Sequence, residues 1–118
     1  MEFHRDEIDA DVVILTADRT IDSFAGATVV DDLLRAVEQD VRKVIVDCSA
    51  LGYMSSIGLT TLVRLHKRLS ERDGQVKLAN VSPPLARLLA ITRLQQVFPA
   101  YGSVDEAREA FRSGGAGV

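Results

Sequence analysis

One cysteine in 118 residues excludes an internal disulfide and leaves Cys48 without a second thiol for a metal site. Cys48 lies in an apolar run, where it reads as a buried small hydrophobe. The apolar residues never gather into a membrane-length stretch, so direct membrane insertion is not expected. Basic charge is also scarce: 14 Lys and Arg stand against 17 Asp and Glu, for a net charge of -3. Nucleic-acid binding needs clustered cations that displace counterions, and this balance supplies no such footprint. The opening "MEFHRDEIDADVV" carries acids where a secretion signal has a basic and then an apolar region, so the expected location is the cytoplasm.

What remains, 47% hydrophobic and 26% charged residues, is ordinary for one globular domain of this length. "DVVILTA" (11–17) and "KVIVDC" (43–48) read as strands rich in β-branched residues. "QVKLANV" (75–81) alternates polar and apolar residues after the turn signal Asp73-Gly74, and "QVFPAY" is a weaker strand bounded by Pro99. Between them, Val30, Leu33, Leu34 and Val37 recur at helical spacing, with Asp31, Asp32, Arg35 and Glu38 outward. "SPPLARLLAIT" begins with Ser82 in a capping position and turns Leu85, Leu88 and Leu89 to one face. "SVDEAREAF" has Ser103 and Glu106 at capping-box spacing. The alternation predicts an α/β fold with a mixed, mostly parallel sheet of four to five strands and about four helices. Residues 1–112 form the predicted domain and 113–118, "SGGAGV" after Arg112, a flexible tail.

Adjacent serines, Ser55 and Ser56, stand where a strand and loop give way to a helix over 57–71. At 100° per residue, Leu59, Leu62, Val63, Leu65, His66 and Leu69 share the core-facing sector, and Thr60, Thr61, Arg64, Lys67, Arg68 and Glu71 the outer one. Ile57 falls on the outer side and is a candidate partner contact. N-capping accounts for one serine. A second has a use if it carries phosphate, because unpaired amides and the macrodipole at a helix N-terminus attract anions. The added charge of about -1.5 to -2 then disturbs a docking surface without unfolding the domain.

The run Val44–Leu69, with its strand ending in Asp47, loop residue Leu51 and turn "MSSIGL", resembles the central segment of STAS domains, the sulfate-transporter and anti-sigma-factor-antagonist group. "VVILTA", the 22–37 segment and "VKLANVSPPLARLLAITRLQQVFPAYGSVDEAREAF" extend the resemblance over most of the chain. It implies a single STAS-like domain with Ser56 at the phosphoacceptor place, Ser55 as second choice, and Gly58 at the family's glycine. Ile57 stands where the family has a small residue, Ser55 where it often has Asp, and "ADRTIDSF" lacks a glycine common after the early strand. The implied partner is an anti-sigma factor that is also a serine kinase using ATP and magnesium. The unphosphorylated form binds it, phosphorylation releases it and a serine phosphatase resets the cycle. The implied contact surface is Asp22, Ser23, Ser55, Ser56, Ile57, Gly58 and Thr60. A monomer and a dimer are both compatible with the sequence.

Enzymatic signatures are missing. Met54 precedes Ser56 by two, where a nucleophile elbow needs glycine, and His66 is ten residues along the helix, too far to act as its base. "GYMSSIG" is neither a Walker loop nor a dinucleotide fingerprint. Asp47 reads as loop-capping, and Arg64, Lys67 and Arg68 as a solvated stripe able to meet an acidic partner. No catalytic residue, metal or cofactor is therefore expected. The alternatives are an unphosphorylated STAS adaptor subunit of a transporter or signalling complex and, from another class, a small α/β enzyme or ligand-binding domain.

Overall fold

Five strands lie side by side in chain order: β1 (Glu2–Arg5), β2 (Val12–Thr16), β3 (Lys43–Asp47), β4 (Gln75–Ala79) and β5 (Ala100–Tyr101). The computed structural model describes residues 2–23, 28, 31, 32, 35 and 41–113. β1 runs antiparallel to β2, and the other pairs are parallel, with Ile14 beside Ile45 and Ile45 beside Lys77. The sheet is thus mixed and mostly parallel, with five strands. β1 was not anticipated, because its four residues, Glu-Phe-His-Arg, carry three polar side chains and no alternation strong enough to mark a strand.

Helices cover both faces, as a parallel sheet requires. Among the described residues there are three α-helices rather than about four: α1 (Ser56–Ser70), α2 (Pro83–Ile91) and α3 (Val104–Arg112). The further expected helix rests on Val30, Leu33, Leu34 and Val37, which lie outside the described residues, as do 114–118. Its described neighbours Thr28, Asp31, Asp32 and Arg35 have helical backbone. The larger core joins Leu62, Leu65 and Leu69 of α1 and Leu85 and Leu89 of α2 to Val13, Leu15, Val44, Val46, Val76 and Leu78 of the sheet. Each fully buried aliphatic side chain contributes roughly 1.5–3 kcal/mol. On the other face Ala107 and Phe111 of α3 meet Val12, Ile14, Ile45 and Ala79.

Loop chemistry holds these elements in register. Asp73 takes φ 57° before Gly74, where a Cβ would come within 2.7 Å of the Arg42 carbonyl oxygen, so the predicted turn needs its glycine. Ser82 caps α2, accepting from the Leu85 amide at 3.4 Å and donating to the Gly52 carbonyl at 2.8 Å. That second bond ties α2 to the loop before α1. Ser103 caps α3 by accepting from the Glu106 amide at 3.1 Å, while the Glu106 carboxylate accepts from Gly102 N at 2.9 Å. The capping box is therefore displaced by one residue from its usual reciprocal form.

The two ends of the chain are locked together by a pair that sequence reasoning missed. Asp6, between β1 and β2, accepts from Arg108 of α3 through both carboxylate oxygens, one of the bonds measuring 2.9 Å. Both side chains are buried. Hydrogen bonding from Arg108 outweighs burial and holds the Asp6 carboxyl below the usual carboxylate range, while Asp6 and then Asp105 raise the guanidinium's affinity for its proton. The residues are 102 positions apart, and no periodicity signals such a pairing.

Candidate functional site

The carboxyl ends of the parallel strands gather three segments, the usual place for a site in such a sheet. After β2 comes a 3-10 turn, Arg19–Asp22, which Asp18 caps by accepting from the Thr20 amide at 2.8 Å. After β3 comes the loop 48–55, and after β4 the start of α2. Asp22 reaches across to α1. One of its oxygens accepts from both the Ser55 amide and the Ser55 hydroxyl, each at 2.9 Å. The Ser55 oxygen in turn accepts from the Gly58 amide at 3.3 Å, capping the helix.

Gly58 explains how these groups come so close. A Cβ there would collide with Met54 Cγ and with the Asp22 oxygen that holds Ser55. Gly58 is buried, and its lack of a side chain leaves the space that Met54 and Asp22 fill.

The two serines have different surroundings. Ser55 is half-buried and fully engaged, whereas Ser56, the first residue of α1, is exposed. Among the described residues the Ser56 hydroxyl has no hydrogen-bond partner; its carbonyl accepts from the Thr60 hydroxyl at 2.9 Å. Ser23, next to Asp22, and Thr60, four residues after Ser56, are exposed, and Ser23 donates to the Thr20 carbonyl at 2.8 Å.

The helical projection needs two corrections. Ile57 is half-buried and Thr61 is buried, where both were expected outward. The 3-10 turn packs against α1, so a second side of the helix is covered, and the Thr61 hydroxyl is satisfied by the Ile57 carbonyl at 3.1 Å. The basic stripe is also less available than expected. Arg64 forms a forked pair with Asp31, at 3.2 and 2.8 Å, and Arg68 stands 3.9 Å from the same carboxylate.

The remaining candidates have structural surroundings. Cys48 is fully buried, and burial, with the Asp47 charge beside it, pushes its thiol up to about 12, leaving it unreactive at neutral pH. Asp47 accepts from Ser49 N at 3.0 Å and from Asn80 Nδ2 at 2.9 Å, a loop-capping role. His66 is half-buried with its ring edge against Phe98, and its buried Nδ1 has no partner among the described residues. No group of three or more His, Cys, Asp or Glu among the described residues could hold a metal. No described helix is long and apolar enough to cross a membrane.

The sequence model of the STAS domain matches residues 5–107. The chain belongs to the STAS domain family. It is 26% identical over 113 residues to BtrV of Bordetella bronchiseptica, named as a candidate anti-sigma factor antagonist, spanning 96% of this chain and 97% of that one. It is 24% identical over 102 residues to the anti-sigma F factor antagonist of Paenibacillus polymyxa, spanning 86% and 83%. The solved STAS domain protein of Planctomyces limnophilus, described as an anti-sigma-factor antagonist, superposes with a TM-score of 0.75 at 23% identity, covering 92% of this chain and 95% of that one. That likeness supports the fold, and Ser55, Ser56, Asp22 and Gly58 sit within this STAS domain at the strand–helix junction described above.

Two features of this end had not been read from the sequence. The Asp22–Ser55 clamp spans 33 positions. Tyr53, just ahead of the serines, is 57% exposed, which its place in a loop without helical or strand periodicity could not indicate.

Proposed function

We propose that this chain is an anti-sigma factor antagonist that switches partners through phosphorylation of Ser56. The observation that carries the reading is the division of labour between the serines: Ser55 is committed to Asp22 and the helix cap, and the Ser56 hydroxyl is exposed, without a partner among the described residues. Both relatives carry names of anti-sigma factor antagonists, BtrV as a candidate one. The unphosphorylated chain binds an anti-sigma factor that is also a serine kinase, using the surface around Ser56 with Ser23, Ile57 and Thr60, and so releases a sigma factor. The kinase transfers the γ-phosphoryl of ATP to the Ser56 oxygen, whose proton is lost, and ADP departs. The added charge of about -1.5 to -2, one residue from the serine that Asp22 holds, then disfavours docking through like-charge repulsion and desolvation cost. A serine phosphatase hydrolyses the ester and restores binding. Residues 1–112 act as the switching domain, in the cytoplasm.

The test is a calorimetric titration of the purified chain with each anti-sigma kinase encoded in its own genome. Ser56→Ala is expected to bind as tightly as the unmodified chain, and Ser56→Asp at least tenfold more weakly. Equal affinity for both variants would contradict the reading.

A further inference from the structure

Beside the switch serines lies an open groove of about 330 Å³ lined by Tyr53, Pro83, Pro84, Arg87, Leu88 and Ile91. Only three large apolar side chains are well exposed among the described residues, Ile8, Tyr53 and Ile91, and two of them line this groove, Ile91 at 73%. Isolated exposed apolar residues are unremarkable, whereas here two of the three share one groove with an arginine. The groove is also anchored. Ser82 Oγ bonds to the Gly52 carbonyl at 2.8 Å, fixing the Tyr53 loop against the start of α2, and Tyr53 lies two residues before the Ser55 cap. The wall is thus continuous with the surface assigned to the switch. Prolines at the first two positions of α2 give it rigid rings with no amide donor.

Its charge selects the occupant. Arg87 is the single ionisable cation in the lining and no carboxylate accompanies it; Arg87 has no ion pair among the described residues. By contrast Arg64 and Arg68, on α1, are already turned to Asp31. We infer that this groove receives an apolar side chain of the anti-sigma partner with a carboxylate next to it, the apolar group between Tyr53 and Ile91 and the carboxylate on Arg87. The guanidinium fork suits a carboxylate bidentately, and an aromatic with an arginine beside it is the usual make-up of an energetic centre in an interface. The inference rests on the proposed function for the partner's identity. It adds a second contact, independent of phosphate, that supplies affinity while Ser56 supplies the switch.

The chain has only two tyrosines and no tryptophan, so 3-fluorotyrosine labelling gives two fluorine resonances, assigned by Tyr53→Phe. Titration with the purified anti-sigma kinase is expected to shift the Tyr53 resonance and leave Tyr101, in β5 and packed on the α3 side of the sheet, unmoved. Arg87→Glu and Ile91→Ser should each weaken binding at least tenfold without changing the circular dichroism spectrum. A partner variant with its matching carboxylate changed to lysine should recover most of the Arg87→Glu loss. If Ser56→Asp weakens binding while Arg87→Glu, Ile91→Ser and the Tyr53 resonance are all silent, the groove inference is wrong and the switch stands. If no anti-sigma kinase binds the unmodified chain, the proposed function fails, and the partner assignment with it. A Tyr53 shift that grows with the chain's own concentration would overturn the assignment in favour of self-association.

Discussion

Two aspartates, each in the connection that precedes or follows β2, are used in opposite ways. Asp6 is buried against Arg108, with both carboxylate oxygens occupied, and joins the start of the chain to its last helix. Asp22 is half-buried and holds two neutral donors of one residue, Ser55. The first pairing is closed to solvent and leaves nothing unspent. The second stands one residue from an exposed, uncommitted hydroxyl, Ser56. One end of the sheet is built to stay shut, and the other presents a fixed frame beside an exposed hydroxyl.

Breaking the lock should have the largest effect. Asp6→Ala leaves Arg108 buried with only Asp105, 2.6 Å away, and removing one partner of a buried ion pair costs about 3–5 kcal/mol; urea denaturation measures it. The same pair sets an acid limit. Because Arg108 lowers the folded-state pKa of Asp6, the pair's contribution is full above the unfolded carboxylate value of about 3.9. It is lost as pH falls through the lower folded value. Thermal melts between neutral and strongly acid pH should therefore lose stability on acidification below about 4, and less steeply in Asp6→Asn.

At the open end the effects should be smaller and graded. Gly58→Ala forces Met54 and Asp22 apart and should cost about 1–3 kcal/mol as overpacking does. Asp22→Ala leaves the cap but frees Ser55, for about 1–2 kcal/mol. Ser56→Ala should leave stability within about 0.5 kcal/mol, since nothing among the described residues bonds to that hydroxyl. A Ser56→Ala loss as large as that of Asp22→Ala would erase the contrast between frame and switch.

The contrast also explains what the sequence makes legible. β2, β3, β4 and the three described helices follow from local pattern and caps: Ser55, Ser82 and Ser103 each accept a first-turn amide. Local chemistry fixes these, so local reading finds them. The Asp6–Arg108 lock and the Asp22–Ser55 clamp are contacts between distant positions, and no window of sequence contains both partners. Ile57 and Thr61 were misplaced for a related reason. A helical projection assumes one buried side, and a short 3-10 turn gives α1 a second.

The most direct test is to isolate the protein from its own cells in resting and stressed growth, measure its intact mass and map any phosphate by fragmentation. The account predicts one phosphate, on Ser56, whose occupancy changes with growth state, with Ser55 unmodified. Phosphate on Ser55, or none in either state while the kinase is present, would contradict it.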